Sequence, residues 1–313
     1  MRDPETIVTI DDDAVWELGL PYWPDPHEGT GPVLLHGLRG FIDAGSVAQV
    51  AAAHVESSFE STRIATFDMD QLLDYRSKRA LMTFDSDRWT DYEEPFLAVD
   101  YVRDNEGTGF LLLYGSEPDV QWERVIAAVR RIIERFGVSL TVGFHGIPMG
   151  VPHTRPLTLT AHGTRAGLTE DYTSFFGKIK VPSSLPALLE YRLGESGHDA
   201  MGFTIHVPHY LSQMQYPPAA KVALEHVERA TGLDLKLDVL ERDGMDITAA
   251  IESEVAGSPE VSAIVHALEE QFDRFTERVG APGRILEADG PIPTADELAA
   301  EFEKFLAQES GEE

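Results

Sequence analysis

Short apolar runs and amphipathic stretches alternate over the first two thirds of the chain. The runs that are typical of strands lie at residues 7–10, 33–35, 63–67, 81–84, 96–102, 110–114, 140–144, 157–160 and 201–206. Between several of them, apolar residues recur at helical spacing, at residues 44–59, 122–136 and 185–193. Strands that alternate with helices form a mainly parallel sheet with helices on both faces. The pattern therefore predicts an α/β fold with three layers, α/β/α.

The strand pattern stops near residue 216, and the remaining chain is predicted to be helical. Residues 219–230 and 258–279 have helical periodicity, and a glycine follows soon after each stretch. The predicted organisation has three parts: an α/β/α domain with an irregular N-terminal segment at residues 1–216, a helical subdomain at 217–281, and a linker with a terminal amphipathic helix at 282–313.

The terminal helix is predicted from a start signal and an apolar stripe. Thr294 and Glu297 have the spacing of a capping box, in which each side chain accepts a backbone N–H at the helix start. One face then carries the apolar residues Leu298, Phe302, Phe305 and Leu306. Because the other face is acidic, we expect this helix to dock on the body of the protein or on a neighbouring subunit rather than on a membrane.

The net charge of the chain limits the kinds of molecule that it can bind. Its 313 residues include 25 Lys and Arg against 54 Asp and Glu, which gives a net charge of −29. A surface this acidic repels phosphate backbones and anionic lipids. We therefore expect neither nucleic-acid binding nor membrane binding.

The absence of cysteine from the sequence excludes further chemistry. Without cysteine there are no disulfides, no thiolate nucleophile and no thiolate-bound zinc. The N-terminal stretch is acidic and lacks the apolar segment of a signal peptide. No apolar run approaches the ~20 residues that a membrane helix needs. The expectation is a soluble cytoplasmic protein.

The first strand leads into a glycine-containing turn that invites comparison with a phosphate-binding loop. Gly40 and Gly45 have P-loop spacing and Ser46 follows them, but the P-loop lysine is missing and Asp43 adds negative charge. Asp43 is instead well placed to cap the following helix, because its carboxylate can accept backbone N–H groups. The same helix terminus could also hold an anion.

Four loops are predicted at the carboxyl ends of parallel strands, where ligands bind in open α/β sheets. They are residues 36–45, 115–119, 145–156 and 206–217. Two of them follow similar sequences, GFHGIPMGVPH and GFTIHVPH. The candidate ligand-binding residues on these loops are Arg39, Asp43, His145, His153, Arg155, His206 and His209. Alternatively, the histidines bond to backbone groups and Arg155 pairs with an acidic side chain rather than with a ligand carboxylate or phosphate.

No complete catalytic motif is present. The sequence has neither the G-x-S-x-G elbow of serine hydrolases nor the H-E-x-x-H spacing of zinc proteases. We assign no catalytic residue, no metal site and no cofactor from the sequence.

Six motifs together resemble a known family. They are GFIDAG at 40–45, LLDYRSKR at 72–79, GSEPDVQW at 115–122, VPHTRP at 151–156, VPHYLSQ at 207–213 and ELAAEFEKFL at 297–306. In combination they resemble the proteasome-assembly-chaperone family, and specifically its long actinobacterial branch. The resemblance extends over nearly the whole chain from residue 33.

The resemblance implies a three-layer domain similar to nucleoside phosphorylases, with an added helical subdomain. It also implies self-association, and we expect a trimer. The actinobacterial branch has no agreed activity, whereas eukaryotic and archaeal relatives are chaperones of proteasome α-rings. Many of those relatives end in a hydrophobic–tyrosine–any tail that docks into the ring. This chain ends in Gly311, Glu312 and Glu313, so tail-mediated docking is not expected.

Two functional hypotheses follow. The first is a non-catalytic, oligomeric scaffold or chaperone-like protein whose partners are itself and, as a further possibility, proteasome subunits. The second is a small-molecule-binding protein or an enzyme, similar to phosphorylases or hydrolases, that uses the cleft at the carboxyl edge. In the second, Arg155 binds an anionic group and a histidine acts as general acid or base.

Overall fold

The computed structural model describes residues 6–20, 31–172 and 177–279. The strands are β1 Val8–Ile10, β2 Val33–Arg39, β3 Ser61–Phe67, β4 Met82–Asp85, β5 Arg88–Tyr92, β6 Leu97–Arg103, β7 Gly109–Ser116, β8 Leu140–Met149, β9 Leu159–Gly163 and β10 Ala200–Pro208. The α-helices are α1 Asp12–Glu17, α2 Val47–Ser58, α3 Trp122–Phe136, α4 Leu185–Glu195, α5 Pro217–Thr231, α6 Asp238–Gly257 and α7 Pro259–Val279.

Eight of these strands form one mixed sheet in the order β1-β3-β6-β7-β2-β8-β10-β9. The central strands β7, β2, β8 and β10 run parallel to one another. On one side, β6, β3 and β1 continue the sheet through antiparallel pairs, and on the other side β9 closes it in the same way. The carboxyl ends of β2, β7, β8 and β10 therefore share one edge, to which β3 also points.

Helices cover both faces of the sheet. The alternation of side chains along β2 places Leu35 in a core with α2 and α5, and Leu34 and Leu38 in a second core with α3 and α4. Both cores consist almost entirely of aliphatic and aromatic side chains, whose removal from water stabilises the fold. The predicted α/β/α arrangement with additional C-terminal helices is confirmed.

The C-terminal helices begin with one that belongs to the main core. Ala219, Ala223 and Leu224 of α5 are buried in the same cluster as the small residues of α2. Helix α6, which sequence periodicity did not single out, packs on α5 and is followed by α7. The division of the chain at residue 216 stays a prediction. The predicted terminal helix and most of the irregular segment at 19–32 lie outside the described residues. Among the helices that are described, none has the length and apolar character to cross a membrane.

Three central strands are longer than predicted, and this corrects the placement of two candidate residues. β2, β8 and β10 continue past the apolar runs to Arg39, Met149 and Pro208. Arg39 and His145 were expected in loops after the strands, but both lie inside strands, and His206, expected at the end of its strand, is followed by two more strand residues. The reason is that the ladders of β2 with β7 and of β8 with β10 continue, residue by residue, beyond the apolar stretches that pack under helices. Hydrogen bonding between backbones does not require apolar side chains.

Candidate functional site

The Asp43 carboxylate caps the start of α2, as the sequence predicted, and also ties the helix to the sheet. Its Oδ1 accepts the backbone N–H of Ala48 at 2.9 Å and that of Gly146 in β8 at 3.2 Å, and its Oδ2 accepts the N–H of Gln49 at 3.3 Å. Burial raises the pKa of this carboxyl to about 6, although the N–H groups act in the opposite direction. These three bonds occupy the helix terminus that the sequence offered as an anion site.

The turn that carries Asp43 is held against the loop after β10. Gly45 has φ 69°, a left-handed conformation that glycine adopts without strain, and Ser46 follows with φ 51°. The N–H of Gly45 donates to the carbonyl of Ser212 at 2.9 Å, and the N–H of Tyr216 donates to the carbonyl of Gly45 at 2.9 Å. Backbone hydrogen bonds thus close the space between these two loops.

Arg39 lies apart from Asp43, at the exposed end of β2. Its guanidinium donates to the Ser116 hydroxyl at 3.2 Å. Next to it, the buried carboxylate of Glu117 accepts the N–H of Phe41 at 3.0 Å and the N–H of Leu185, the first residue of α4, at 2.6 Å. Glu117 therefore joins the first turn to α4. This role of Glu117 was not predicted, although its position directly after the strand that carries the apolar run 110–114 was a usable signal.

The second histidine of each similar sequence lies against Tyr210. The centroid of the Tyr210 ring is 5.9 Å from that of His153 and 5.4 Å from that of His209. The Tyr210 hydroxyl accepts the His153 backbone N–H at 2.8 Å and lies 2.7 Å from its Nδ1. Burial lowers the pKa of both imidazoles. Nε2 of His153 is buried and has no hydrogen-bond partner among the described residues.

Arg155 is engaged by α7. Its guanidinium makes a bidentate pair with Asp273, with distances of 2.8 and 2.7 Å, and a further contact of 3.2 Å with Glu269. The carboxylate of Glu269 also accepts the hydroxyl of Thr154. Fork geometry of this kind is the strong form of a charge-assisted hydrogen bond. The interpretation in which Arg155 pairs with acidic side chains is the one the structure bears out, and α7 lies over this loop as a result.

His145 and His206 lie on the α4 face of the sheet and not at its edge. The two similar sequences pair directly in the sheet, with Gly143 opposite Gly202. His206 lies 2.8 Å from the Thr158 hydroxyl through Nδ1 and 3.0 Å from the Thr160 hydroxyl through Nε2. Burial lowers the pKa of His206 to about 4. This imidazole is therefore neutral near pH 7.

Two histidines that the sequence analysis did not select complete this polar face. The rings of His36 on β2 and His162 on β9 lie over Gly143 and Gly202, where a Cβ atom would approach each ring to 2.3 Å. Burial, and then the nearby His145 and His162, lower the pKa of His36 to about 3. Gly143 and Gly202 pair with each other in the sheet, and the absence of their side chains leaves room for the two rings. This signal can be used only once the strand pairing is known.

A hydrogen-bonded series crosses this face from α4 to β8. Nδ1 of His162 lies 2.8 Å from the Glu190 carboxylate, and because a carboxylate only accepts, Nδ1–H donates to it. The Thr204 hydroxyl lies 3.2 Å from Nε2 of His162 and 3.4 Å from Nε2 of His145. Burial lowers the pKa of His145 to about 4. A carboxylate, an imidazole and a hydroxyl in this order form the arrangement that orients a general base.

The candidate residues therefore fall into separate groups. His145 and His206 share the polar face, His153 and His209 flank Tyr210, Arg155 belongs to α7, and Arg39 and Asp43 serve different contacts in the first turn. Among the described residues, the chain's own backbone and α7 fill much of the edge where a single cleft was predicted. No group of acidic and histidine side chains there has the geometry of a metal site.

The chain is similar to known proteins over the region that carries these groups. The sequence profile of the PAC2 family matches residues 37–255. No match is found among curated proteins. Three crystal structures are similar to this chain over most of its length.

The Mycobacterium tuberculosis protein Rv2714, described as of unknown function, is 44% identical with a TM-score of 0.81, over 87% of this chain and 90% of that one. A Corynebacterium glutamicum protein of unknown function is 33% identical with a TM-score of 0.78, over 88% and 99% of the two chains. The M. tuberculosis proteasome-assembly chaperone homologue Rv2125 is 22% identical with a TM-score of 0.68, over 74% and 99%.

Proposed function

Since the chain belongs to the PAC2 family, we propose that it is a cytoplasmic, self-associating scaffold with a chaperone-like role toward proteasome subunits and without catalytic activity. The observation that carries the proposal is the family match, which extends from Gly37 in β2 to Val255 in α6. The protein Rv2125, a proteasome-assembly chaperone homologue, has the same fold over three quarters of this chain. A trimer is the proposed form of self-association.

The contacts at the carboxyl edge support a scaffold. The Asp43 carboxylate accepts three backbone N–H groups, and the Arg155 guanidinium donates to Asp273 and Glu269. These charged groups are the ones that a substrate site at this edge would have needed. In the described structure they connect the chain's own elements.

The proposal is tested with purified proteasome α- and β-subunits. We expect the protein to co-elute with α-subunits in size-exclusion chromatography and to increase the rate at which complete particles form in native gels. Serum albumin at the same mass concentration controls for crowding. If neither the elution of the α-subunits nor the assembly rate differs from the albumin control, the chaperone-like role is wrong.

A second candidate function is favoured by the Glu190–His162–Thr204 series. His162 retains 39% of its side-chain exposure, so a small molecule can reach the imidazole that the Glu190 carboxylate orients. An oriented imidazole beside a hydroxyl is suited to general-base chemistry or to binding a ligand hydroxyl. This candidate keeps His145 and His206 as neighbours but replaces the edge cleft by the polar face of the sheet.

A thermal-shift screen distinguishes the second candidate from the first. Nucleosides, inorganic phosphate and short peptides are added to the wild type and to His162→Gln, with His266→Gln on the exposed face of α7 as the control. A ligand that stabilises the wild type and His266→Gln, but not His162→Gln, supports the site. No stabilisation of the wild type, or equal stabilisation of all three proteins, excludes it.

A further inference from the structure

Three imidazoles lie together on the α4 face of the sheet, around the paired glycines of β8 and β10. The His36 ring lies over Gly143, and the His162 ring lies over Gly202. His145 is the next residue of β8 on this face after Gly143, and its proximity, like that of His162, contributes to the lowered pKa of His36. We call His36, His145 and His162 the histidine cluster.

The inner side of the histidine cluster holds polar groups without a partner. His36 is 5% exposed, and its imidazole makes no hydrogen bond with another described residue. Thr141 precedes Gly143 on the same face of β8, and its buried hydroxyl also has no hydrogen-bond partner among the described residues. Because an unpartnered buried polar group destabilises a fold, such groups are nearly always hydrogen-bonded. The missing bonds are therefore expected from a molecule other than the chain itself.

The outer side of the histidine cluster is open toward β9 and α4. The side chain of His162 is 39% exposed, and its Nδ1–H donates to Glu190, whose side chain is 18% exposed. The Thr204 hydroxyl lies between the two outer imidazoles, 3.2 Å from Nε2 of His162 and 3.4 Å from Nε2 of His145. A small molecule that reaches His162 from solvent therefore meets Thr204 and His145 next.

The charges around the histidine cluster favour a neutral ligand. Burial lowers the pKa of His36 to about 3 and that of His145 to about 4, so both imidazoles are neutral near pH 7. Among the described residues, no lysine or arginine makes an ion pair with the cluster, whereas the Glu190 carboxylate does. An anion bound here would be repelled by Glu190 without a compensating cation. The described residues also include no group of histidine and acidic side chains that could hold a metal ion.

The hydrogen-bonding groups of the histidine cluster match hydroxyl groups. A neutral imidazole has one donor and one acceptor nitrogen, and a threonine hydroxyl both donates and accepts. A ligand hydroxyl likewise donates and accepts, whereas a carboxylate only accepts and an ammonium group only donates. An apolar ligand would leave these buried groups unpaired. Several imidazoles and hydroxyls on one face therefore suit a molecule with several hydroxyl groups.

We propose that the histidine cluster binds a small, neutral, polyhydroxylated molecule of the sugar class, whose hydroxyl groups form hydrogen bonds with His36, His145 and Thr204. The inference rests on the second candidate function, the site around His162, and it names the class of ligand for that site. It is independent of the scaffold role.

An NMR titration of the protein with isotope-labelled histidine tests the class of ligand. D-Ribose and D-glucose are the neutral probes, and their phosphate monoesters carry an added dianion on the same ring. We expect at least one of the two sugars to shift the ring signals of His36, His145 and His162 and to leave that of His54, on α2, unchanged. The phosphate monoester should bind at least about tenfold more weakly, because its charge lies near Glu190 without a cation.

Variants of the same protein locate the binding. His36→Gln and Thr204→Val each remove a proposed contact and should raise the Kd of the sugar at least about fivefold, the effect of losing one hydrogen bond. His54→Gln is the matched control, because His54 is equally buried but its Nε2 lies 2.8 Å from the carbonyl oxygen of Leu235. It should leave the Kd unchanged. Thr204→Val retains the shape of the side chain, so the test does not depend on the folding of His36→Gln.

The outcomes separate the ligand class from the site. If neither sugar binds, or if a sugar binds the wild type, His36→Gln and Thr204→Val equally well, the inference is wrong. Tighter binding of a phosphate monoester than of its sugar would reveal an anion site, which overturns the neutral class but retains the second candidate function. If sugars, phosphate, nucleosides and peptides all fail to bind the wild type, the second candidate function is wrong and the inference is overturned with it.

Discussion

Two parts of the same edge of the sheet are built in opposite ways. At the ends of β8 and β10, charged groups are satisfied by the chain itself, as Asp43 is by three N–H groups and Arg155 is by Asp273. At the end of β3, the hairpin formed by β4 and β5 leaves aromatic rings such as Trp89 in water. These charged groups therefore have their partners within one chain, whereas the aromatic rings of the hairpin are exposed among the described residues.

The largest effect expected from this comparison is a pH dependence that arises from the polar side. Burial lowers the pKa of His36 to about 3 and that of His145 and His206 to about 4, whereas an unfolded histidine has about 6.5. The unfolded chain therefore binds more protons between pH 4 and 6.5, and stability is lost as the pH falls through this window. Asp43, with a raised pKa of about 6, acts in the opposite direction but is a single group.

The measurement is urea unfolding at several pH values. We expect His206→Gln to reduce the slope of unfolding free energy against pH by about 1 kcal/mol per pH unit between pH 4.5 and 6. His266→Gln, at an exposed position of α7, is the matched control. An unchanged slope in His206→Gln would mean that this imidazole is solvated. The polar face would then not differ from the exposed hairpin in its access to water.

The next effect concerns the first turn. Asp43→Ala removes the acceptor for the N–H groups of Ala48, Gln49 and Gly146 and should lower the unfolding free energy by about 1–3 kcal/mol. Asp43→Asn retains one acceptor oxygen and should lose less. Asp85→Ala, on the exposed hairpin, is the control for removing a carboxylate. Equal stability of Asp43→Ala and Asp85→Ala in chemical denaturation would contradict the capping role.

A smaller, local effect is expected for α7, which lies over the loop that carries Arg155. Arg155→Ala breaks the bidentate pair with Asp273 and the contact with Glu269. Amide hydrogen exchange of residues 259–279 should become faster, because α7 then lies over the loop without its charged anchor. Arg274→Ala, which removes a pair within α7 only, should leave the exchange unchanged. Equal exchange in both variants would show that α7 is held by its apolar contacts alone.

The smallest effect is expected at the hairpin in dilute protein. Trp89→Ala should change the unfolding free energy by less than about 0.5 kcal/mol, because an exposed side chain loses little contact. Leu224→Ala, at a fully buried position of α5, should cost about 2–5 kcal/mol. A large loss in Trp89→Ala at concentrations where the protein is monomeric would show that the hairpin packs on its own chain.

The sequence predicted the layers better than the ends of the strands. The apolar run at 110–114 marks the buried part of β7, and the helical pattern at 122–136 matches α3. In β8 and β10 the apolar run identified only the portion between helices. His145 belongs to the same strand as the run before it, but its polarity made it look like a loop residue. β5 escaped notice because all its side chains are exposed and no apolar run marks it.

The candidate site shows the same division. Capping by Asp43 was predictable, because it depends on residues that are close in sequence. The Glu190–His162–Thr204 series was not, because its members come from α4, β9 and β10 and meet only through strand pairing. The contact of Arg155 with α7 joins positions more than a hundred residues apart.

By itself, the sequence determined what local periodicity and composition control. Apolar spacing placed the helices and buried strands, net charge argued against nucleic-acid and membrane partners, and the motifs indicated the family. Only the tertiary structure decided which polar groups satisfy each other and which apolar groups stay uncovered. The first depends on the register of β8 with β10, and the second on which of the described segments pack over the hairpin. These are properties of distant segments brought together, and no local pattern encodes them.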